Sequence, residues 1–232
     1  MKLKVLGSGS SGNCYLLENE TECLVIEAGV SFMEVKKVLD FNVKKIVGVI
    51  VSHSHGDHAK YAKDYKKAGI HTVSFGEELP EYHAEKMNHY MLEMGKFRIK
   101  PFPLVHDVTC YGFYITEPSM GSCIYATDTE YIKWRFKNVN NILVEANYSR
   151  ENMDYDEYSA NRNHVLTGHM EIDTACKFLE VNKSAALRNV VLLHLSSNNA
   201  DPDDFKSRAQ TVVDCPVYIA DKGLEIELGL PF

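Results

Sequence analysis

The sequence predicts an α/β fold in which two β-sheets lie face to face with helices outside them. Three observations support this prediction. Apolar runs of strand length recur along the chain, glycine turns separate the first of them, and helical patterns follow the early strands and return later. The length of 232 residues is compatible with one core, so we predict a single domain over residues 1–232.

The first half of the chain is interpreted as strands joined by tight turns, with two helices. Ser31 can cap a helix whose apolar face is formed by Val35, Val38 and Leu39. A second, lysine-rich helix is predicted at 61–68. The run at 46–51 is wholly apolar, which is typical of a strand buried on both faces. Strands are predicted at 3–6, 15–17, 24–26 and 46–51.

The second half continues with strands and two further helices. The helices are predicted at 173–181 and 202–213, and the last two strands flank a turn at 221–223. No repeat, low-complexity block or linker interrupts this order, which again favours two sheets with helices outside. Strands are predicted at 97–102, 111–115, 122–126, 142–144, 190–193, 217–219 and 224–228.

Composition narrows the class of protein. The net charge is -7, from 25 basic and 32 acidic residues, and this balance argues against wrapping a long nucleic acid, which needs a basic surface. No apolar run reaches the length of about 18 residues that a membrane span needs, and no signal-peptide pattern opens the chain. The six cysteines show no paired spacing and indicate buried thiols in a reducing compartment. We expect a cytoplasmic protein with no membrane partner.

The most informative motif follows the apolar run at 46–51. His53, His55, Asp57 and His58 lie within six residues of one another. Imidazole and carboxylate groups are the side chains that bind Zn²⁺, and they also suit Mn²⁺ or Fe²⁺. Four such groups on one short loop would be unfavourable without a cation to organise them. The motif therefore predicts a metal site at the end of a buried strand.

Three further ligand-type residues follow predicted strands. His106 comes after the run that ends near 105, Asp128 after 122–126, and His194 directly after 190–193. Strand ends at one rim of a sheet converge, so we expect these side chains to meet the His53 loop. A single His or Asp at a strand end is often only a satisfied polar residue, but four such strand ends together are hard to explain in that way.

A glycine-rich segment near the start resembles a nucleotide-binding fingerprint but fails on context. Residues 7–12 read Gly-Ser-Gly-Ser-Ser-Gly after a strand. A dinucleotide site needs a helix after the third glycine. The residues that follow here, Asn13 to Leu17, have the pattern of a strand. We predict a tight turn between strands whose backbone amides face the active site, and no cofactor-binding residues of the dinucleotide type.

The pattern His-x-His-x-Asp-His, followed by a distant His, a distant Asp and a last His, resembles the metallo-β-lactamase fold superfamily. The resemblance implies a four-layer αββα sandwich with a binuclear site between the sheets. It assigns His53, His55 and His106 to one metal and Asp57, His58 and His194 to the other, with Asp128 as the bridge. The implied cofactors are two divalent metal ions, Zn²⁺ first and Mn²⁺ as the alternative. The usual Asp of an Asp-x-Gly turn is Glu27 here.

Two other segments resemble a narrower group, the YycJ/WalJ-like proteins, which are related to tRNase Z-type enzymes and lie near phage anti-Pycsar cyclic-nucleotide phosphodiesterases. These segments are 7–13 and 193–199. His169, in Gly168-His169-Met170 before a predicted helix, matches the position of that group's Gly-His-Leu-Ser. Where the group has Asn-His-Asp, this chain has Asn-Tyr-Ser at 147–149. The segment around 162–164 is interpreted as an insertion specific to this chain.

The resulting functional prediction is a metal-dependent hydrolase that cleaves nucleotide phosphodiesters, with Asp57 and His169 as the catalytic residues. His169 is the candidate general acid or phosphate ligand, while Arg162 and His164 are weaker candidates for substrate contacts. A cyclic mononucleotide is preferred as substrate because the chain is acidic and compact. The alternatives are a 5′-to-3′ DNA exonuclease, a thioester or lactone hydrolase, and a non-enzymatic partner-binding protein.

Two questions of assembly stay open at this level. The protein could form a homodimer. In that case His164, Arg162 or His169 could serve either the site of its own subunit or the site of the neighbouring one. The segment at 81–94, rich in Met and Tyr, is interpreted either as a flap over the site or as a dimer surface.

Overall fold

The computed structural model describes residues 1–78, 90–153 and 167–230. Its strands are, in chain order, β1 (Lys2–Gly7), β2 (Cys14–Glu18), β3 (Cys23–Ile26), β4 (Ile46–Val51), β5 (Thr72–Ser74), β6 (Leu92–Met94), β7 (Phe97–Pro103), β8 (Tyr111–Glu117), β9 (Gly121–Ala126), β10 (Asn141–Glu145), β11 (Asn189–Leu193), β12 (Val217–Ile219) and β13 (Glu225–Glu227). They form two sheets, with strand order β13-β1-β2-β3-β4-β5 in one and β12-β11-β10-β9-β8-β7-β6 in the other.

Each sheet contains both antiparallel and parallel strand pairs. In the first sheet β1, β2 and β3 pair antiparallel, whereas β3, β4 and β5 pair parallel. In the second sheet β9, β10, β11 and β12 are all parallel. The carboxyl ends of parallel strands lie at one edge of a sheet, and in α/β folds this edge is where ligands bind.

The helices flank the two sheets. They are α1 (Phe32–Val38), α2 (Gly56–Ala59), α3 (Ala62–Lys67), α4 (Phe75–Glu78), α5 (Ile172–Asn182) and α6 (Pro202–Val212). Ser31 caps α1 as predicted, because its hydroxyl accepts a hydrogen bond from the Glu34 amide. Asp201 caps α6 in the same way, and proline occupies the first turn of that helix.

Three apolar clusters show that these elements make four layers. The cluster between the sheets joins residues such as Leu17 and Ile50 of the first sheet with Phe113 and Leu143 of the second. A second cluster joins the opposite face of the second sheet to α5 and α6, and a third joins the outer face of the first sheet to α1 and α3. Alternate residues along each strand therefore face alternate layers, as the pleat requires. The predicted αββα sandwich is confirmed.

The predicted elements match the structure closely, and the differences are local. Val38 is exposed instead of lying on the buried face of α1, where Phe32 packs with Val35 and Leu39. The sequence analysis did not predict β5 and β6, which have three residues each, too few to show a period. The turn at residues 7–13 joins two antiparallel strands, as expected. Residues 79–89, which hold most of the segment at 81–94, lie outside the described residues.

Candidate metal centre

The candidate site lies where β4, β9, β10 and β11 end. The loop after β4 carries His53 and His55, and α2 begins at Gly56, so Asp57 and His58 stand on its first turn. His53 and His58 are buried, whereas His55 and Asp57 are partly accessible. Asp128 follows β9 and His194 follows β11 directly. The structure thus brings together the strand ends that the sequence singled out.

The first group of ligand-type side chains contains His53, His55, His106 and Asp128. Their nearest donor atoms all lie within 4.8 Å of one another. His106 Nε2 is 3.3 Å from His55 Nδ1, and His53 Nε2 is 3.6 Å from Asp128 Oδ2. Three imidazoles and a carboxylate at these separations can hold one divalent ion.

The second group contains Asp57, His58, Asp128 and His194, again with donor atoms within 4.8 Å. His58 Nε2 lies 3.1 Å from Asp128 Oδ2 and 3.2 Å from Asp57 Oδ2. His194 Nε2 lies 3.6 Å from Asp57 Oδ2. Asp128 belongs to both groups, so its carboxylate is in position to bridge two ions.

The hydrogen bonding within these groups fits a pair of cations. His53 Nε2 and His194 Nε2 are buried and make no hydrogen bond within the described residues. An unsatisfied buried nitrogen costs about 1–3 kcal/mol. Both nitrogens face carboxylates at 3.6 Å, so a cation between these atoms would satisfy the nitrogens and neutralise the carboxylates.

The ionisation of the site favours the same interpretation. Burial, reinforced by the neighbouring His58, lowers the pKa of His53 to about 2, so its imidazole is neutral and offers a lone pair. Burial opposes the charged form of His194, but Asp128 and the nearby carboxylates of Asp57 and Glu145 raise its pKa to about 10. The carboxylates therefore create a local field that attracts positive charge.

Three residues of the site have a left-handed backbone. Glu27, Asp128 and His194 have backbone φ angles of 65°, 52° and 54°. Residues other than glycine, Asn and Asp rarely adopt such angles. Each follows a strand of the parallel region, β3, β9 or β11. Each side chain therefore lies near the carboxyl end of its strand, at the edge of the sheet.

Glu27 contacts the metal loop, the segment after β4 that carries His53, His55, Asp57 and His58. The carboxylate is fully buried, accepts a hydrogen bond from the Ser52 amide at 3.2 Å, and lies 3.5 Å from His58 Nδ1. His58 therefore presents Nε2 to the candidate site, while Nδ1 lies at ion-pair distance from the Glu27 carboxylate and makes no hydrogen bond within the described residues. Glutamate in place of the usual aspartate still reaches this histidine.

The glycine-serine turn is part of the site, and a strand follows it where a dinucleotide fingerprint needs a helix. Asn13 Nδ2 lies 2.9 Å from His58 Nε2 and 3.3 Å from Asp57 Oδ2. The Ser8 hydroxyl accepts hydrogen bonds from the His194 amide and from the Tyr15 hydroxyl. The expectation that the turn faces the site agrees with these contacts, although side chains make most of them.

His169 lies beside the second group, paired with a residue that the sequence analysis missed. His169 Nδ1 is 2.6 Å from Glu145 Oε1, and Glu145, at the end of β10, is fully buried. Burial opposes the charged imidazole, but the Glu145 carboxylate outweighs it and raises the pKa of His169. A carboxylate that ends an apolar strand was the available signal, because a buried charge requires a partner.

A second missed residue is Asp107, which follows His106 in the chain. Its Oδ1 lies 3.1 Å from His106 Nε2 and 3.5 Å from His55 Nε2. Asp107 is exposed, so it forms the rim of the first group. Residue 107 lies on a loop, where no periodic pattern marks a functional position.

Two candidates for substrate contacts cannot be described. Arg162 and His164 lie outside the described residues. In place of the expected group pattern at 147–149, Asn147 Nδ2 donates to the His194 carbonyl at 2.7 Å, and Tyr148 and Ser149 are buried. Asn147 therefore supports His194, and this part of the segment stabilises the site.

Comparison with known proteins decides the family. Residues 7–119 match the model described as the metallo-beta-lactamase superfamily. The chain contains a metallo-β-lactamase superfamily domain. The matched region contains the His53 loop and His106, while Asp128 and His194 come from the part of the sandwich that follows.

The similarity to individual proteins extends over nearly the whole chain. Exodeoxyribonuclease WalJ of Streptococcus pneumoniae serotype 2 is 25% identical over 250 residues, covering 97% of this chain and 91% of WalJ. The YhfI structure from Bacillus subtilis has a TM-score of 0.69 at 21% identity and covers 97% of this chain and 99% of YhfI. The short form of human tRNase Z has a TM-score of 0.61 at 16% identity, with 99% and 100% covered. The two structures show the shared fold.

The match of residues 7–119 and the relatives together confirm the prediction of a metal-dependent hydrolase and the resemblance to the WalJ and tRNase Z groups. The His and Asp clusters are able to bind metal ions. Among the described residues, no helix is both long enough and apolar enough to cross a bilayer.

Proposed function

We propose that this superfamily domain, residues 1–232, hydrolyses nucleotide phosphodiesters with the help of two divalent ions. The main support for this proposal is that two groups of metal-ligand side chains share Asp128. His53, His55 and His106 are the proposed ligands of one ion. Asp57, His58 and His194 are the proposed ligands of the other, and Asp128 bridges them. Zn²⁺ suits this mixture of imidazole and carboxylate, and Mn²⁺ is the alternative.

The chain's own residues divide the chemistry between them. When bound, a pair of divalent ions supplies a nucleophile at neutral pH and neutralises charge on the phosphoryl oxygens. Asp57 is partly accessible, so its second oxygen can also hold an attacking water by a hydrogen bond. This is the catalytic role that we propose for Asp57 beside its role as a ligand.

His169 is the proposed general acid for the leaving oxygen. Glu145 holds Nδ1 at 2.6 Å, and Nε2 is the atom that we propose donates a proton to the departing alkoxide. A buried carboxylate behind an imidazole both orients the ring and stabilises its charged form. Glu145 is therefore a positioning residue for His169.

Two observations bear on the class of substrate. The acidic chain, with a net charge of -7, favours a small cyclic mononucleotide over a long polyanion. Similarity to WalJ, named an exodeoxyribonuclease, favours a DNA end as the second candidate. The six cysteines, none of them in a disulfide, support the proposal that the enzyme acts in the cytoplasm.

A substrate panel tests the proposed function. Protein loaded with Zn²⁺ or Mn²⁺ is incubated with cyclic mononucleotides, duplex and single-stranded DNA, a thioester and a lactone. We expect cyclic mononucleotides to yield linear monophosphates while DNA stays intact. DNA degradation without cyclic nucleotide turnover would identify the exonuclease instead. Activity on the acyl substrates alone would overturn the phosphodiesterase proposal.

A leaving-group comparison tests the role of His169. A p-nitrophenolate leaves without a proton, whereas a sugar alkoxide needs one. We therefore expect His169→Ala to lower the kcat for an alkoxide leaving group by about 100-fold and to affect a p-nitrophenyl ester much less. The variant should keep its bound metal. Because His169 also lies within 4.8 Å of Asp128, Glu145 and His194, loss of metal would make it a ligand instead.

A further inference from the structure

A polar cleft opens beside the candidate metal centre and is not used by the chemistry described so far. Its volume is about 670 Å³, within the range of about 300–1,000 Å³ that small-ligand sites occupy. Residues 8–11 and residues 195–199 line it, together with Asn147, His169 and His194. The cleft is therefore continuous with the proposed general acid and with a proposed metal ligand.

The inner polar groups of the cleft are already hydrogen-bonded to the protein. The Ser8 hydroxyl accepts from Tyr15 and from the His194 amide, and the Asn147 amide donates to the His194 carbonyl. The Ser196 hydroxyl accepts from the backbone amides of residues 198 and 199. These bonds fix the shape of the cleft, so its two loops form a defined surface.

The outer polar groups are presented to solvent. Ser10, Ser11, Ser197 and Asn198 are exposed, and they supply hydroxyl and carboxamide groups that both donate and accept hydrogen bonds. Apart from His169 and His194, the described residues that line the cleft carry no ionisable side chain. The part of the surface away from these two histidines is thus rich in hydrogen-bonding groups and carries no charged side chain.

We propose that this cleft binds the nucleoside part of the substrate, through sugar hydroxyls and the polar edge of the base. This inference rests on the proposed phosphodiesterase function and adds the substrate class. A neutral surface of donors and acceptors matches hydroxyl and base groups, whereas a continuing chain of phosphates would need cationic partners. The cleft therefore selects a single nucleoside next to the scissile phosphate, as in a cyclic mononucleotide.

Two chromogenic substrates with the same leaving group test this inference. The p-nitrophenyl ester of thymidine 5′-monophosphate carries a nucleoside, and bis(p-nitrophenyl) phosphate carries none. In the double variant Ser11→Ala/Asn198→Ala, we expect the ratio of kcat/KM for the nucleotide ester to kcat/KM for the simple diester to fall. Each lost hydrogen bond should lower this ratio by about two- to tenfold. The decrease should arise from a higher KM for the nucleotide ester.

Controls keep the outcomes distinct. Ser207→Ala removes an exposed serine of α6, outside the cleft, and should leave the ratio at the wild-type value. Metal content and circular dichroism show whether the double variant is intact, and the single variant Asn198→Ala replaces it if it is not. An unchanged ratio in intact variants that hydrolyse both substrates would overturn the inference. If metal-loaded wild type hydrolyses neither substrate, the proposed function itself falls, and the inference with it.

Discussion

Asp128 is the residue on which the two candidate ion sites depend. It is buried, its Oδ1 accepts a hydrogen bond from the Thr127 hydroxyl at 2.8 Å, and its Oδ2 faces both His53 and His58. The charges of His194 and His58 outweigh burial and hold the pKa of Asp128 well below its ordinary value. The carboxylate is thus ionised whenever the protein is folded near neutral pH.

Replacing Asp128 by alanine should separate the two sites. Without a bridge, we expect Asp128→Ala to lose at least about half of the bound metal and to have no measurable turnover. Metal analysis by mass spectrometry and a phosphodiesterase assay measure the two effects. Asp214→Ala, at an exposed position, is the matched control. Near-normal rates in folded Asp128→Ala protein would refute the assignment of the site.

Sequence reasoning at the scale of the residue identified the ligand-type side chains but not their supports. His53, Asp128 and His194 could be predicted because ligand-type residues follow apolar strands, and such strand ends converge. Glu145 and Asp107 were missed because neither lies in a motif. Glu145 ends an apolar strand, which indicates that its buried charge needs a partner but not which one. Asp107 lies on a loop, where no local pattern indicates that it lies near His55 and His106.

At the scale of the element, the loop after β3 is bound tightly to the metal loop. Asn13 donates its backbone amide to the Asp57 carbonyl, Ala28 donates its own to the His58 carbonyl, and Gly29 donates to Asn13. A Cβ atom on Gly29 would overlap the backbone carbonyl oxygen of Asp57. Only glycine permits this close approach, so the position of the metal loop depends on it.

Gly29→Ala should therefore displace Asp57 and weaken metal binding. Changes that disturb the support of metal ligands typically cost about 10- to 100-fold in affinity, and we expect a loss in this range by calorimetric titration with Zn²⁺ or Mn²⁺. Gly56→Ala is the matched control, because a Cβ atom there meets nothing within 4 Å. Equal affinities of the two variants would contradict the proposed dependence.

A second element-scale feature is the ion-pair network on the first sheet. Lys4 of β1 lies 2.8 Å from Glu18 of β2, and Lys45, just before β4, also contacts that carboxylate. Burial works against the charged carboxylate, but the two lysines outweigh it and lower the pKa of Glu18. A carboxylate with a lowered pKa stabilises the fold above its ordinary pKa of 4.5, and that contribution is lost as the pH falls through the lowered value.

Glu18→Gln should therefore destabilise the protein at neutral pH and have little effect in acid. We expect a loss of about 1 kcal/mol in the free energy of unfolding at neutral pH. The difference from wild type should shrink at about pH 3, because the unfolded chain is then protonated at this position and the contribution of the native carboxylate is being lost. Urea unfolding at the two pH values measures it, with exposed Glu20→Gln as control. A loss that is equal at both pH values would point to packing instead.

At the scale of the whole molecule, the inter-sheet core holds the two halves of the candidate site together. Leu17 and Leu143 lie on opposite sheets and belong to one buried cluster. The His53 loop belongs to the first sheet, whereas Asp128 and His194 belong to the second. The layer of apolar contacts therefore fixes the distance between the ligand sets.

Leu17→Ala should destabilise the fold by about 3 kcal/mol, because it removes buried methyl groups and leaves a cavity. Urea unfolding measures the loss. Met33→Ala changes a residue that is 50% exposed and should shift stability by no more than about 0.5 kcal/mol. A loss of similar size in both variants would indicate that Leu17 does not carry core packing.

Two sheets with helices outside could be predicted because apolar runs and helical patterns are visible in the sequence, and the resemblance supplied the four-layer αββα sandwich. The order of strands could not be predicted, since β1 pairs with β13 across nearly the whole chain. The resemblance, and no periodicity, supplied the arrangement of the two ligand sets. Short strands such as β5, which complete a sheet edge, depend on pairing with neighbours that are already in place.

The left-handed backbone at Glu27, Asp128 and His194 has a consequence for the life of the protein in a cell. Such conformations cost about 1–3 kcal/mol each, and crowding carboxylates beside them adds to the cost. If these side chains hold ions as proposed, binding to the native chain alone repays that cost. Metal supply would then set how long the molecule survives proteolysis as well as how fast it works, and a starved cell would clear the idle enzyme.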